Sequence, residues 1–149
     1  MHRLGRGDAL PPDAPADFAG LVAWWVGKSA DGPPERAALD PTEIARHLAS
    51  VALLEADGDD FRFRLVGEEV RMRYGALRGR SLGELLSGRS LTETLAEHRA
   101  CIESGQPTLS RRAEPAADQG DERRYWRLLL PFAQGGRTSV LLAVIRFDF

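Results

Sequence analysis

The chain is short of lysine and cysteine and has no long apolar run. Of its 20 basic residues only Lys28 is a lysine, a bias typical of a GC-rich bacterial genome. The single cysteine, Cys101, excludes an intramolecular disulfide and a cysteine-based metal cage. A net charge of -2 provides no general attraction to nucleic acid or to an anionic membrane. The composition therefore predicts neither a nucleic-acid-binding nor a membrane-associated protein.

No segment has the pattern of a membrane span or an export signal. A transmembrane helix needs about 20 consecutive apolar residues, and no run approaches that length. The stretch from Met1 to Phe18 lacks an apolar signal-peptide core and is rich in Pro, Asp and Gly. These features predict a cytoplasmic protein. At 149 residues the chain has the size of one domain with its own hydrophobic core.

Motifs of catalysis are also missing. The sequence has no Ser-His-Asp elbow, no metal-ligand spacing and no phosphate-binding glycine loop. Asp57, Asp59 and Asp60 lie in a predicted hairpin turn, where Asp is favoured for its local backbone hydrogen bonds. We therefore predict no catalytic residues, no metal site and no required cofactor, and we expect that the protein is not an enzyme.

The N-terminal part of the chain divides into a lead-in and a helix. Residues 1–16 are rich in Pro and Gly and predict a disordered lead-in to a single domain at 17–149. Asp17 is a plausible N-cap of an amphipathic helix at 17–29. The apolar stripe of this helix consists of Phe18, Leu21, Val22, Trp25 and Val26. Trp24 lies off the stripe, so the helix is apolar over more than one face. We therefore expect the helix to be covered on two sides, by its own domain and by another subunit.

The middle of the chain predicts two strands and then three helices. Asp40 caps a short helix that starts at Pro41 and ends near Leu48. In the second strand Phe61, Phe63 and Leu65 face one way. The predicted elements that follow the short helix are a strand at 50–56, a hairpin turn at 57–60, a strand at 61–66, and helices at 67–74, 81–86 and 90–104.

Serine caps and a glycine stop define the later helices. Ser81 with Glu84 three residues on forms a capping box, and Ser90 followed by Glu93 is the cap signal of the longest helix. Gly105 ends that helix.

The C-terminal third is strand-like, and its last strand is apolar on both faces. Strands are predicted at 107–114, 123–132 and 138–147, with a polar turn at 116–122 and a tight hairpin at 134–137. One face of the last strand carries Leu141, Ala143, Ile145 and Phe147, and the other carries Val140, Leu142 and Val144. Such a strand is covered on both sides. The central helices are predicted to cover one side, and the N-terminal helix, or a partner's copy of it, the other.

Six short motifs occur in the order typical of one known family. They are Trp24/Trp25, Pro34-Glu35-Arg36, Asp40-Pro41, the strand Phe61 to Gly67, Tyr74-Gly75, and Gly79 to Leu82. The segment Tyr125 to Pro131 fits the same family's fourth strand. Over Asp17 to Phe147 the chain resembles the alphaproteobacterial PAS-like family that was first described as a domain of unknown function. The resemblance implies an α+β fold: a PAS-like five-stranded antiparallel sheet with short helices over one face and an extra N-terminal helix, used in signalling.

The resemblance also suggests where a ligand would bind, between the sheet and the helices. The candidate ligand-binding residues are Met72, Tyr74, Leu85, Leu95, His98, Trp126 and Leu128. In haem-binding PAS domains the axial histidine comes from the helix that corresponds to the one bearing His98, so a haem sensor is one alternative. Cys101 lies late in that helix without a polar motif, which argues against a flavin–thiol photosensor. The arginines Arg71, Arg73, Arg78 and Arg80 resemble a patch for phosphate or an acidic partner, but the nearby glutamates favour a solvated face that neutralises itself.

We predict a stand-alone sensory or adaptor domain in bacterial signalling, with no attached output domain. It would bind a small ligand, a signalling partner protein, or both, and form a homodimer through Phe18, Leu21, Val22 and Trp25. A pure interaction scaffold with a self-filled core remains open, as does a small isomerase-like enzyme that uses His98.

Overall fold

A computed structural model describes residues 1–4, 9–115 and 122–148 of the chain. Its centre is one antiparallel sheet with strand order β1-β4-β5-β6-β2-β3. The strands are β1 (His2–Arg3), β2 (Val51–Asp57), β3 (Asp60–Val66), β4 (Thr108–Pro115), β5 (Glu122–Gln134) and β6 (Arg137–Phe147). The predicted five-stranded antiparallel sheet is thus confirmed as β2–β6, with the two-residue β1 added beside β4.

Helices cover both faces of this sheet. They are α1 (Phe18–Lys28), α2 (Glu68–Tyr74), α3 (Leu82–Leu85) and α4 (Gly88–Ser104), with 3₁₀ segments at Arg36–Ala38 and Pro41–Ser50. We call the face under α2, α3 and α4 the inner face, and the face under α1 and the 41–50 segment the outer face. Each face has its own apolar cluster. No helix in the described ranges is long and apolar enough to cross a membrane.

Strand β6 holds the two layers together. Leu141, Ala143 and Ile145 belong to the inner cluster, whereas Leu142 and Val144 belong to the outer cluster. The predicted burial of both faces of this strand is therefore confirmed. Its outer side lies in the cluster to which the chain's own α1 and 41–50 segment both contribute.

Helix α1 is fixed to the outer face by apolar burial and polar contacts. Phe18, Leu21 and Trp25 are almost fully buried, and the indole N–H of Trp25 donates to the carbonyl of Pro131 at 2.7 Å. Asp17 stands at the N-cap position but makes no side-chain cap. Its carboxylate instead accepts hydrogen bonds from Arg146 at 2.9 and 3.2 Å. Partial burial alone would raise the pKa of Asp17, but the hydrogen bonds and charge of Arg146 outweigh it and lower that pKa.

A β-bulge places Leu65 on the unexpected face. The register between β2 and β3 shifts between Leu53 and Leu54, so that Leu53 pairs with Leu65 but Leu54 pairs with Phe63. One extra residue on β3 reverses the alternation of side chains beyond it. Phe63 is buried in the inner cluster, while Leu65 is 50% exposed. The prediction that Leu65 shares a face with Phe61 and Phe63 is wrong. It assumes strict alternation of side chains, and a bulge interrupts that alternation.

Two further predictions differ from the structure. Helix α4 begins at Gly88, two residues before the predicted cap, and the Ser90 hydroxyl donates to Glu114 of β4 instead of capping. The prediction of a disordered lead-in does not hold for His2–Arg3, which pair with β4, or for Leu4, which is buried. The predicted turn at 116–122 falls mostly outside the described residues, and the division of the chain at residue 16 stays a prediction.

Gly67, between β3 and α2, allows two segments to pass very close together. A Cβ atom at this position would lie 2.2 Å from the carbonyl oxygen of Leu48 and 2.6 Å from that of Ala49. Both obstacles are backbone atoms, which cannot rotate away. The turn into α2 therefore requires glycine, because there is no space for a side chain at this position.

We expect Gly67→Ala to lower the free energy of unfolding by about 2–3 kcal/mol, because the methyl group forces the 41–50 segment away from β3. Gly27→Ala is the matched control: nothing lies within 4 Å of its Cβ position, and alanine in α1 should be neutral or stabilising by up to about 1 kcal/mol. Urea unfolding measures both. Equal midpoints for Gly67→Ala and the wild type would contradict the steric explanation.

Candidate functional site

The candidate site is the space between the inner face of the sheet and helices α2–α4. It contains a cavity of about 40 Å³. Pockets for drug-sized ligands measure roughly 300–1,000 Å³, whereas one water needs about 10–15 Å³. The cavity therefore accommodates only a few water-sized groups. The domain's own apolar side chains fill most of this space, among them Leu54, Phe63, Val70, Leu77 and Leu82.

One wall of the site is polar because the inward row of β4 is polar. Thr108, Ser110, Arg112 and Glu114 alternate along the strand with outward residues, and in the sheet Ser110 pairs with Arg127 of β5. The cavity itself is lined on this side by Glu114, Tyr125 and Arg127, and from α4 by Thr94 and His98. A buried polar wall must be hydrogen-bonded internally to be stable.

Glu97 of α4 is the centre of a buried ion network. Its carboxylate contacts the guanidinium of Arg127 directly and accepts from Arg112 at 3.3 Å. Arg112 also donates to Glu93 at 2.8 Å. The side chain of Arg127 is 5% exposed and that of Glu97 is 12% exposed. The pair is therefore desolvated, and removal of either partner would leave an uncompensated buried charge. The network fastens α4 to the edge half of the sheet.

Glu114 has a second set of partners. It accepts from the phenol of Tyr125 at 2.7 Å and from the hydroxyl of Ser90 at 3.0 Å. Burial raises the pKa of Tyr125, so the phenol keeps its proton at neutral pH and acts as a donor. The start of α4 is thereby fixed to β4 and β5.

His98 is a neutral core residue. It is 2% exposed, and its Nδ1 lies 2.8 Å from the carbonyl oxygen of Thr94. A carbonyl only accepts, so Nδ1 carries the proton. Burial, with the nearby positive charge of Arg127, lowers the pKa of His98 to about 3. The small cavity beside it does not fit a haem, so the structure does not support an axial-ligand role.

Two buried polar atoms of the cavity wall have no hydrogen-bond partner in the described part of the chain. They are Oγ1 of Thr94 and Nε of Arg127. Thr94 is fully buried and Arg127 is 5% exposed. Unpaired buried polar groups are rare and call for a small hydrogen-bonding guest, such as ordered water.

An open groove adjoins the cavity on the solvent side. Tyr74, Leu85, Leu86 and Glu114 line both spaces, so these side chains separate the cavity from the groove. The groove also carries four arginines: Arg73, Arg89, Arg112 and Arg123. The guanidinium of Arg123 lies over the Tyr74 ring at 4.6 Å. The wall between the two spaces thus consists of one aromatic side chain, two leucine side chains and one carboxylate.

The structure brings together only part of the predicted ligand-binding set. Tyr74, Leu85 and His98 line the cavity, and Leu95 packs against the inner cluster nearby. Met72 is 74% exposed.

The placement of Trp126 and Leu128 is corrected: both belong to the outer cluster. Both faces of strand β5 are buried, and the row with Trp126 and Leu128 is more apolar than the row with Arg127, so the alternation alone does not tell which face is inward. The overlooked residues are Thr94, Glu114, Tyr125 and Arg127. The polar row of β4, which pairs with β5, is a signal for Glu114, Tyr125 and Arg127, whereas Thr94 of α4 has no such signal.

The predicted dimer residues lie mostly inside the chain. Phe18, Leu21 and Trp25 pack in the outer cluster of their own domain, and Val22 is half-buried against it. Cys101 is buried as well, and burial raises the pKa of its thiol to about 12, which leaves it unreactive at neutral pH. In the described ranges no group of three His, Cys, Asp or Glu residues could hold a metal ion.

We expect Glu97→Gln to lower the free energy of unfolding by about 3 kcal/mol, since it leaves the buried guanidinium of Arg127 without its counter-charge. Arg89→Gln is the control: the Arg89 side chain pairs with Glu93 but is 91% exposed, so its loss should change stability by less than about 0.5 kcal/mol. Chemical unfolding compares the two. Similar small losses for both variants would contradict a structural role for the network.

We also expect His98 to make the fold less stable in mild acid. Its folded pKa of about 3 lies below the usual value of 6.5, so the unfolded chain binds a proton that the folded chain refuses. Stability is unaffected above pH 6.5 and falls by up to about 1.4 kcal/mol per pH unit below it. His98→Leu should show a shallower loss between pH 7 and pH 5 by urea unfolding. Parallel pH profiles would show that His98 becomes charged without cost.

Comparison with known proteins identifies the family. The family model described as a PAS domain matches residues 15–145. A search of curated proteins found no significant match. Solved structures similar in part include a domain of an HTR-like protein from Haloarcula marismortui ATCC 43049, with 19% identity over 66% of this chain and 96% of that one, at a TM-score of 0.49.

Two more solved structures have comparable similarity. The PAS domain of the HTR-like protein from Haloarcula marismortui is 19% identical over 72% of this chain and 96% of its own, at a TM-score of 0.44. An RNA-binding light-oxygen-voltage receptor is 16% identical over 65% of this chain and 28% of its own, at a TM-score of 0.49. The family rests on the sequence match, which spans most of the folded chain. The chain belongs to the PAS domain family, a family of sensory domains.

Proposed function

We propose that this PAS domain is a signalling adaptor that acts through contacts with a partner protein and does not carry a large cofactor. The observation that carries the proposal is the cavity of about 40 Å³, which the domain's own side chains have nearly filled. A haem, a flavin or a drug-sized metabolite needs several times that volume.

The polar wall supports the same function. To admit a large ligand, α4 would have to separate from β4 and β5. That movement would part Glu97 from Arg127 and Arg112, and Glu114 from Tyr125. Separating a buried ion pair leaves uncompensated charge at a cost of several kcal/mol. The inner side is therefore built to stay closed, and a signal passes more readily through the surface of the sheet.

Strand β6 offers the physical route for such a signal. Its inner residues belong to the apolar cluster on the cavity side, and its outer residues belong to the same apolar cluster as the buried side chains of α1. Asp17 and Arg146 then join the start of α1 to the same strand. A partner that prefers one arrangement of α1 on the sheet would shift the population of that arrangement.

A second candidate function is the sensing of a very small polar ligand. The unpaired Oγ1 of Thr94 and Nε of Arg127 at the cavity favour it, as do the arginines of the adjoining groove. Both arginine and threonine donate hydrogen bonds, so the guest would be an acceptor or an anion of only a few heavy atoms.

The predicted homodimer remains part of the proposal, with a changed contact. Because Phe18, Leu21 and Trp25 are buried, two chains would meet either through the exposed side of α1 or by exchanging this helix. Exchange would bury the same residues against the partner's sheet.

We expect native mass spectrometry of the purified protein to give the mass of the chain alone, about 16.4 kDa per protomer, without a retained organic cofactor. A spectrum without a Soret or flavin band should accompany it. A retained molecule the size of a flavin would contradict the adaptor function. A retained group of a few heavy atoms that is lost in Thr94→Val would favour the second candidate, with Thr92→Val on the exposed side of α4 as the control.

A further inference from the structure

The outer face has an apolar groove that α1 does not cover. It measures about 240 Å³ and runs between the 41–50 segment and strands β2 and β3. Leu65 is 50% exposed and Leu48 is 38% exposed, both high for leucine. A second hollow adjoins it and shares Arg36, Leu53 and Leu65 with it. We call the two together the outer groove.

The rim of the outer groove has an excess of positive charge. Arg36, Arg64 and Arg78 line it, against one carboxylate, Glu55. Glu55 is already paired with Arg64 at 3.0 Å. Within the described residues Arg36 and Arg78 have no side-chain hydrogen bond or ion pair, whereas Arg71 and Arg80 of the same arginine cluster pair with Glu68 and Glu84. An apolar floor with a cationic rim is complementary to an apolar segment flanked by carboxylates.

The edge of the sheet beside the outer groove is not open to strand addition. Strand β3 is an edge strand, but the N–H of Phe63 donates to Arg80 at 2.9 Å and its carbonyl accepts from Gly79 at 2.8 Å. The 79–81 segment thus occupies the middle of that edge. A partner has to contact the outer groove through side chains, as an amphipathic helix does.

A second copy of this chain fits the outer groove poorly. In a two-fold interface the same patch meets itself, so two rims that both carry an excess of positive charge would face each other. Like charges opposed across an interface disfavour association. The charge pattern therefore favours a different protein.

We propose that the outer groove binds an acidic amphipathic helix of a partner protein, with apolar residues against Leu48, Leu53 and Leu65 and carboxylates at Arg36 and Arg78. The inference rests on the adaptor function proposed above and specifies its partner. Leu65 is the central anchor, because it lines both hollows and is half exposed before any partner binds.

Fluorescence anisotropy with a panel of helix-stabilised peptides tests this proposal. The peptides are about 16 residues long, enough for four turns, with leucines at i, i+4 and i+7 flanked by glutamates. Matched peptides carry lysine in place of glutamate. At near-physiological salt we expect micromolar binding of the acidic peptides only. Leu65→Glu should weaken binding by at least about tenfold and Arg78→Glu by about three- to tenfold.

Met72→Glu is the matched control, because Met72 is the most exposed large apolar residue described and does not line the outer groove. Its binding should equal that of the wild type. Thermal unfolding of each variant checks that the fold is intact, which is expected since residues 65, 72 and 78 are exposed.

Three results would overturn the proposal. The first is that no acidic peptide binds more tightly than its lysine counterpart. The second is that acidic peptides bind but perturb amide resonances around Arg73 and Arg123 instead of β2 and β3, which places the partner elsewhere and leaves the adaptor function intact. The third is a wild-type dimer by light scattering that Leu65→Glu dissociates, which assigns the surface to a second copy. A large co-purifying cofactor would instead reject the adaptor function itself.

Discussion

The fold depends on a central strand that is apolar on both faces. Strand β6 has Leu141, Ala143 and Ile145 on one side and Leu142 and Val144 on the other, so neither side can face water. That requirement places α4 and the short helices on the inner face, and α1 with the 41–50 segment on the outer face. A PAS sheet with one solvated face would not need α1; here the helix completes the core, as the burial of Phe18 and Trp25 demonstrates.

The inner face combines two kinds of cohesion. Toward β2 and β3 it is an apolar core, with Leu54, Phe61 and Phe63 under the short helices. Toward β4 it is a buried polar layer, where Glu97 connects two arginines. Apolar packing is non-directional, whereas the charged contacts fix distance and orientation. The orientation of α4 over the sheet is therefore set mainly by its polar half, while the apolar half fills most of the space beneath the helices.

Much of the architecture could be predicted from the sequence, because hydrophobic periodicity and caps are local signals. The α1 stripe, the cap at Asp40, the Gly105 stop and both faces of β6 needed only nearby residues. The site was predicted less well. Trp126 and Leu128 lie in a strand that is buried on both sides, so only its pairing with β4 shows which residues point inward. The bulge beside Leu65 is likewise a property of two paired strands, and the ion network joins residues up to thirty positions apart.

That bulge separates two selective pressures along one strand. Phe61 and Phe63, before the bulge, are constrained by packing in the core, where even a volume change of one methylene affects stability. Leu65, after the bulge, is half exposed and is constrained mainly by what binds the outer surface. Under the proposed partner binding, a single extra residue in β3 allows position 65 to change for recognition without repacking Phe61 and Phe63. Related proteins of identical fold could then differ in the protein they recognise by changing a position that contributes little to stability.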